Sequence, residues 1–116
     1  MFEVALNLVV IPAGDIQRSA AFYRSLGLSF VAEKHGAGPE HFAAELGGTV
    51  LEIYPRQAVE GISGPARIGF RVMSVDDTVR KLRSLGEHVV SGPKDSAWGR
   101  RAILRDPDGH RVEISE

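Results

Sequence analysis

Two glutamates stand in the middle of apolar strands, and they are the residues most able to do chemistry. Glu52 lies in Val50-Leu51-Glu52-Ile53-Tyr54 and Glu113 in Arg111-Val112-Glu113-Ile114-Ser115. Side chains on a strand alternate between faces, so Leu51 and Ile53 share one face while Glu52 and Tyr54 take the other. By the same alternation Glu113 goes with Arg111 and Ser115. A carboxylate in such a place either faces water on the wet side of an antiparallel sheet or lines a cavity. In a cavity it can act as a general base or bind a cation. The histidines are His35, His41, His88 and His110. His35 and His41 fall in a glycine-rich stretch at a spacing that matches no helical or finger site, and they read as solvated loop residues. Trp98, before Gly99-Arg100-Arg101, reads either as an aromatic at the rim of a cavity or as a lid on the core.

The elements that must position these residues can be read in order. Val4 to Ile11 is an apolar run interrupted by Asn7 and predicts a buried strand. Asp15 is a candidate N-cap for a helix with Ile16, Ala20 and Tyr23 on one stripe, stopped by Gly27. Leu28–Glu33 predicts a second strand, and Lys34–Glu40 a loop. Gly47-Gly48 joins two further strands, Phe42–Leu46 and Thr49–Tyr54, as a hairpin. Pro55 to Pro65 is punctuated by glycine and reads as a connector. The second half repeats the programme. Arg67–Met73 is a strand, Ser74 caps a helix striped by Val75, Val79 and Leu82, and Gly86 ends it. His88–Val90 is a short strand and Ser91–Gly99 a loop. The hairpin Arg101–Arg105 / His110–Ser115 turns at Asp106-Pro107-Asp108-Gly109, where proline presets φ and Asp-Gly tolerates the reversal.

The halves read as copies. Arg24-Ser25-Leu26-Gly27 recurs as Arg83-Ser84-Leu85-Gly86, and Leu51-Glu52-Ile53 as Val112-Glu113-Ile114. Each half is βαβββ, so the expected fold is α+β, one domain spanning 1–116 with repeat modules 1–56 and 66–116. Each module has one helix and one sheet and needs the other to bury its apolar face.

Composition narrows the class. A chain of 116 residues with 43% hydrophobic and 25% charged residues is large enough for one real core. The net charge of −1 gives no basic surplus for a nucleic-acid partner. Absence of cysteine excludes disulfides and thiolate metal sites. No apolar run approaches the length of a membrane span and no signal peptide opens the chain, so a cytoplasmic location is expected.

The paired βαβββ repeat, the opening Asp15-Ile-Gln-Arg-Ser-Ala-Ala-Phe-Tyr23 with Leu26-Gly27, and the closing Asp106-Pro-Asp-Gly109 with Val112-Glu113 resemble the vicinal oxygen chelate superfamily. That group contains glyoxalase I, bleomycin-resistance proteins and extradiol dioxygenases. The resemblance implies two modules pairing into a cupped, partly open β-barrel. In catalytic members, four strand residues hold a divalent metal there. Carried over, two of those positions fall on Glu52 and Glu113, the expected metal ligands if a metal binds and the expected catalytic bases if there is turnover. The third falls on Arg67, and the fourth on Leu8, or on Asn7 after a one-residue slip that would exchange strand faces. A guanidinium does not deprotonate and cannot coordinate. No cofactor is therefore expected, although Zn, Ni, Fe or Mn could be held if a histidine were recruited.

The resemblance thus implies a binder of a small organic ligand, lined by Asn7, Tyr54, Arg67, Trp98 and Arg111. The alternative is a metal-dependent glyoxalase-like lyase, isomerase or dioxygenase using Glu52 and Glu113. Arg67 is expected within ion-pair reach of both glutamates, taking the metal's place electrostatically. A homodimer with equivalent clefts is expected, because two modules leave sheet edges that need covering.

Overall fold

A computed structural model describes residues 4–59 and 64–116. The first module comprises β1 (Leu8–Ala13), α1 (Ile16–Ser25), β2 (Val31–Glu33), β3 (His41–Leu46) and β4 (Thr49–Pro55). The second comprises β5 (Arg67–Arg71), α2 (Val75–Ser84), β6 (His88–Ser96), β7 (Gly99–Arg105) and β8 (Arg111–Ser115). The sheets have equivalent orders, β1-β4-β3-β2 and β5-β8-β7-β6, with the first strand of each module parallel to the last. The fold is α+β, two βαβββ modules whose sheets are not hydrogen-bonded into one, which leaves the barrel partly open.

The helices start where the sequence places them, for the expected reason. The Asp15 carboxylate accepts from the Arg18 amide, and the Ser74 hydroxyl accepts from the Asp77 amide. Gly27 and Gly86, both at positive φ, terminate the helices at equivalent points. Val75, Val79 and Leu82 of α2 are buried, as are Phe22 and Tyr23 of α1. They pack with Ile11, Leu51 and Ile53 of the first sheet and Leu104, Val112 and Ile114 of the second in one core. Burying each large apolar side chain contributes roughly 1.5–3 kcal/mol, so this side of the sheets carries the stability. The opposite faces are left free to be charged.

Several boundaries differ from the sequence reading: β2 begins at Val31 rather than Leu28, β5 ends at Arg71 rather than Met73, β7 begins at Gly99 rather than Arg101, and β8 begins at Arg111 rather than His110. β1 begins at Leu8, not Val4, and continues through Pro12 to Ala13. Within its sheet β1 pairs only with β4, so a proline without an amide proton is tolerated there. β6 runs to Ser96 through Gly92-Pro93, where a loop was expected, and its pairing with β7 shifts register between Val89 and Ser91 and between Ser91 and Lys94. Those irregularities, on another edge strand, absorb the glycine and proline. β3 begins at His41 rather than Phe42. Of the expected connector, Arg56–Ala58 forms a single 3-10 turn and residues 60–63 lie outside the described residues.

The Asp106–Gly109 turn does more than reverse a hairpin: it fastens one module to the other. Asp106 is buried and accepts from the amides of Asp108 and His110, and from the Tyr23 hydroxyl of α1 at 2.6 Å. The His110 ring is also buried. Its Nδ1 accepts from the Ala66 amide at 2.7 Å and its Nε2 donates to the Pro12 carbonyl at 3.0 Å. The Gly14 amide donates to Asp108 at 2.8 Å. With both nitrogens engaged, His110 is a structural pin.

Candidate functional site

Strand register decides what shares a face with each glutamate. In the first sheet Val10 pairs with Glu52, Ala43 with Glu52, and Glu33 with His41. Leu8, Val10, Glu33, His41, Glu52 and Tyr54 therefore lie on the face away from the helices. Leu8, not Asn7, belongs to the Glu52 face, which settles the slip. Asn7 precedes β1 and is exposed, and its carbonyl accepts from the Val50 amide.

His41 is the centre of this face. Its ring is 1% exposed, contrary to the solvated loop expected from the sequence, because it is the first residue of β3 and faces Glu33 across the ladder. Its Nε2 lies 3.3 Å from Glu33, 3.6 Å from Glu52 and 3.3 Å from the Tyr54 hydroxyl. The Tyr54 ring stacks on it at 4.1 Å between centroids. Burial, with Glu52 and Glu33 close by, raises the Tyr54 hydroxyl above its ordinary pKa. The period-two pattern that picked out Glu52 extends to His41, Ala43 and Glu45; starting that strand one residue earlier would have found His41 in the sequence.

The second sheet carries the opposite charge. Across strands β5, β8 and β7, Arg67 pairs with Arg111 and Arg111 with Arg105. Glu113 is in the next row, beside Gly69 and Ile103, and the row beyond it holds Arg71, Ser115, Arg101 and Lys94. Glu113 accepts from Arg67 at 3.0 Å and also from Arg101. Those guanidiniums, Arg67 first, hold its carboxyl below the usual carboxylate value against the opposing effect of burial. The Arg111 Nε is buried and has no hydrogen-bond partner among the described residues. An open recess of about 570 Å³ is lined by Arg67, Arg71, Arg101, Glu113 and Trp98. Trp98 sits at the β6–β7 turn, 82% exposed, at the edge of that recess rather than over the core.

Arg67 and Glu113 are thus brought together, whereas Glu52 is not. Among the described residues no ion pair joins Glu52 to Arg67, and the Glu52 carboxylate lies near His41 instead. The two glutamates belong to separate sheets of one chain, so the expected triad does not form within it. The donor set at the superfamily's four-strand position does not fit a metal. Leu8 has no donor atom, Arg67 cannot deprotonate, and Glu113 is occupied by two guanidiniums.

Comparison with known proteins agrees with this frame. A 30% identical relative is an uncharacterized protein of Mycolicibacterium smegmatis, aligned over 95% of this chain and 91% of that protein. A lactoylglutathione lyase of Salmonella typhimurium is 28% identical over 89% of this chain and 85% of its own. An antibiotic binding protein from Streptomyces sp. CB03234 has the same fold, with a TM-score of 0.82 at 24% identity over 99% of this chain and 97% of that one. The profile of one family spans residues 5–114, covering both modules and both glutamates. With its two βαβββ modules, the chain belongs to the Glyoxalase/Bleomycin resistance protein/Dioxygenase superfamily.

Proposed function

We propose that this protein binds a small organic ligand with an anionic group, holding it on the arginine-rich face of the second sheet without chemical turnover. The observation that carries the reading is the row Arg67–Arg111–Arg105. Like charges directly opposite one another on a sheet are destabilising, and among the described residues the carboxylate ion-paired to Arg67 and Arg101 is Glu113. An adjoining recess lined by Arg67, Lys94, Arg101 and Arg111 supplies further positive charge for an incoming carboxylate, sulfonate or phosphonate. Trp98 offers a flat surface for an aromatic part of the ligand. The lyase reading is weaker, since neither Leu8 nor Arg67 can complete the metal set that chemistry uses.

The same charges favour a homodimer. The outer face of the first sheet presents Glu33, Glu45 and Glu52 with no lysine or arginine among its register partners, while that of the second is basic. Two copies related by a twofold axis can set the acidic face of each against the basic face of the other, forming two equivalent clefts. A naphthalene sulfonate and the matching uncharged sulfonamide test the ligand class by equilibrium dialysis. The sulfonate is expected to bind at least tenfold more tightly. Equal retention of both would contradict the proposal.

A further inference from the structure

The geometry points to a divalent transition-metal site on the first sheet, held by Glu33, His35 and His41 with Glu52 as the fourth donor. It lies within one module, is built on Glu33, His35 and His41, and shares Glu52 alone with the four-strand position between modules in the superfamily. It does not depend on the anion-binding reading, which concerns the other sheet.

The donors arrive from three neighbouring strands. Glu33 ends β2, His35 follows it by two residues, His41 opens β3 opposite Glu33, and Glu52 is the central residue of β4. One ligand atom each from Glu33, His35 and His41 lies within 4.8 Å of the others. The individual separations are 3.3 Å for Glu33–His41, 3.8 Å for Glu33–His35 and 3.6 Å for His41–Glu52. Tetrahedral zinc with bonds of roughly 2.0–2.1 Å to nitrogen and oxygen needs ligand atoms about 3.4 Å apart. Glu33, His35 and His41 therefore already stand close to such a spacing, and Glu52 is near it on the His41 side. His35 is well exposed and free to close the remaining gap. Two imidazoles with two carboxylates suit Zn²⁺, Co²⁺ or Ni²⁺.

The polarity of His41 suits a metal ligand, with the Tyr54 hydroxyl at 3.3 Å from Nε2 as the ordinary hydrogen-bond partner of that nitrogen. Its Nδ1 lies 3.2 Å from the Pro39 carbonyl, which can only accept, so that nitrogen carries the proton. In the neutral ring the Nε2 lone pair then points at two carboxylates, and this carbonyl–imidazole arrangement is the one that orients metal-bound histidines. The stacked Tyr54 ring keeps the imidazole plane fixed. Among the described residues neither Glu33 nor Glu52 has a lysine or arginine within ion-pair distance. Converging electron-rich groups without a counter-charge are stabilised by a cation between them.

Metal-stripped protein titrated with Co²⁺ provides the test, followed by visible absorption and melting temperature. One equivalent is expected to give the intense d–d bands of a tetrahedral nitrogen–oxygen site and to raise the melting temperature. His35→Ala and Glu33→Gln, both at exposed or half-exposed side chains, should each weaken Co²⁺ binding at least tenfold. His88→Ala should leave it unchanged. Absence of stoichiometric binding by the parent would overturn the site, as would binding that survives both His35→Ala and Glu33→Gln. Nitrogen-15 spectra of metal-free and Zn²⁺-loaded protein add a check that does not rely on variants. His41 Nε2 should move on loading, and a ring protonated on both nitrogens in both samples would show that an imidazolium, not a metal, satisfies the carboxylates. Sulfonate binding by the second sheet should persist in His35→Ala, so failure of either proposal can be recognised separately.

Discussion

Glu113 stays ionised because two guanidiniums converge on it, and this gives its contribution a definite pH dependence. Its pKa is depressed in the folded protein, so its ion pairs contribute stability above the ordinary carboxylate value of 4.5. That contribution is lost as pH falls through the depressed folded value. Denaturant midpoints measured down the acid limb should therefore fall less steeply in Glu113→Gln than in the parent. Arg67→Ala should cost little, under about 1 kcal/mol, since the Arg67 side chain is 64% exposed and Arg101 remains paired with Glu113. A loss of several kcal/mol in a denaturation experiment on the dissociated single chain would contradict this. The sequence made Arg67–Glu113 legible because both lie on the same face of adjacent strands. It could not show that Glu52 has a different partner, since alternation fixes the face of a residue but not which sheet curves toward which.

At the scale of elements, the junction between modules rests on polar groups that carry no catalytic signature. Tyr23 is buried in α1 and donates to Asp106 in the β7–β8 turn. Tyr23→Phe leaves that carboxylate one donor short and should destabilise the protein by about 1–3 kcal/mol, measured by urea unfolding. Burial first, and Asp106 second, raise the Tyr23 hydroxyl far above its ordinary value of 10. Above that pH the unfolded chain loses a proton that the native chain keeps, so stability falls as pH rises. In an alkaline absorbance titration Tyr54 should ionise while the protein is folded, and Tyr23 only on unfolding. Reversible ionisation of both tyrosines in the native state would contradict this account. The caps Asp15 and Ser74, the stop glycines and the alternation of β4 and β8 were legible because each is a local signal. β1 and β6 were misjudged at Pro12 and at Gly92-Pro93, where an edge position makes a nominal strand-breaker acceptable. That position is a property of the whole sheet.

At the scale of the molecule, charge is divided between the sheets: acidic on the outer face of the first, basic on that of the second. An assembly that opposes them should have a mass near twice 12.6 kDa by light scattering and dissociate as salt is raised. A monomer mass throughout the micromolar range at low salt would rule it out. The most direct measurement of the central claim uses Trp98, the only tryptophan, at the edge of the arginine-rich recess. Its emission should change saturably as a naphthalene sulfonate is added at low salt. The apparent affinity should fall at least tenfold in Arg111→Ala and in Arg67→Ala, but remain unchanged in His35→Ala. Identical titrations for the parent and both arginine variants would contradict the claim that the second sheet recognises an anion.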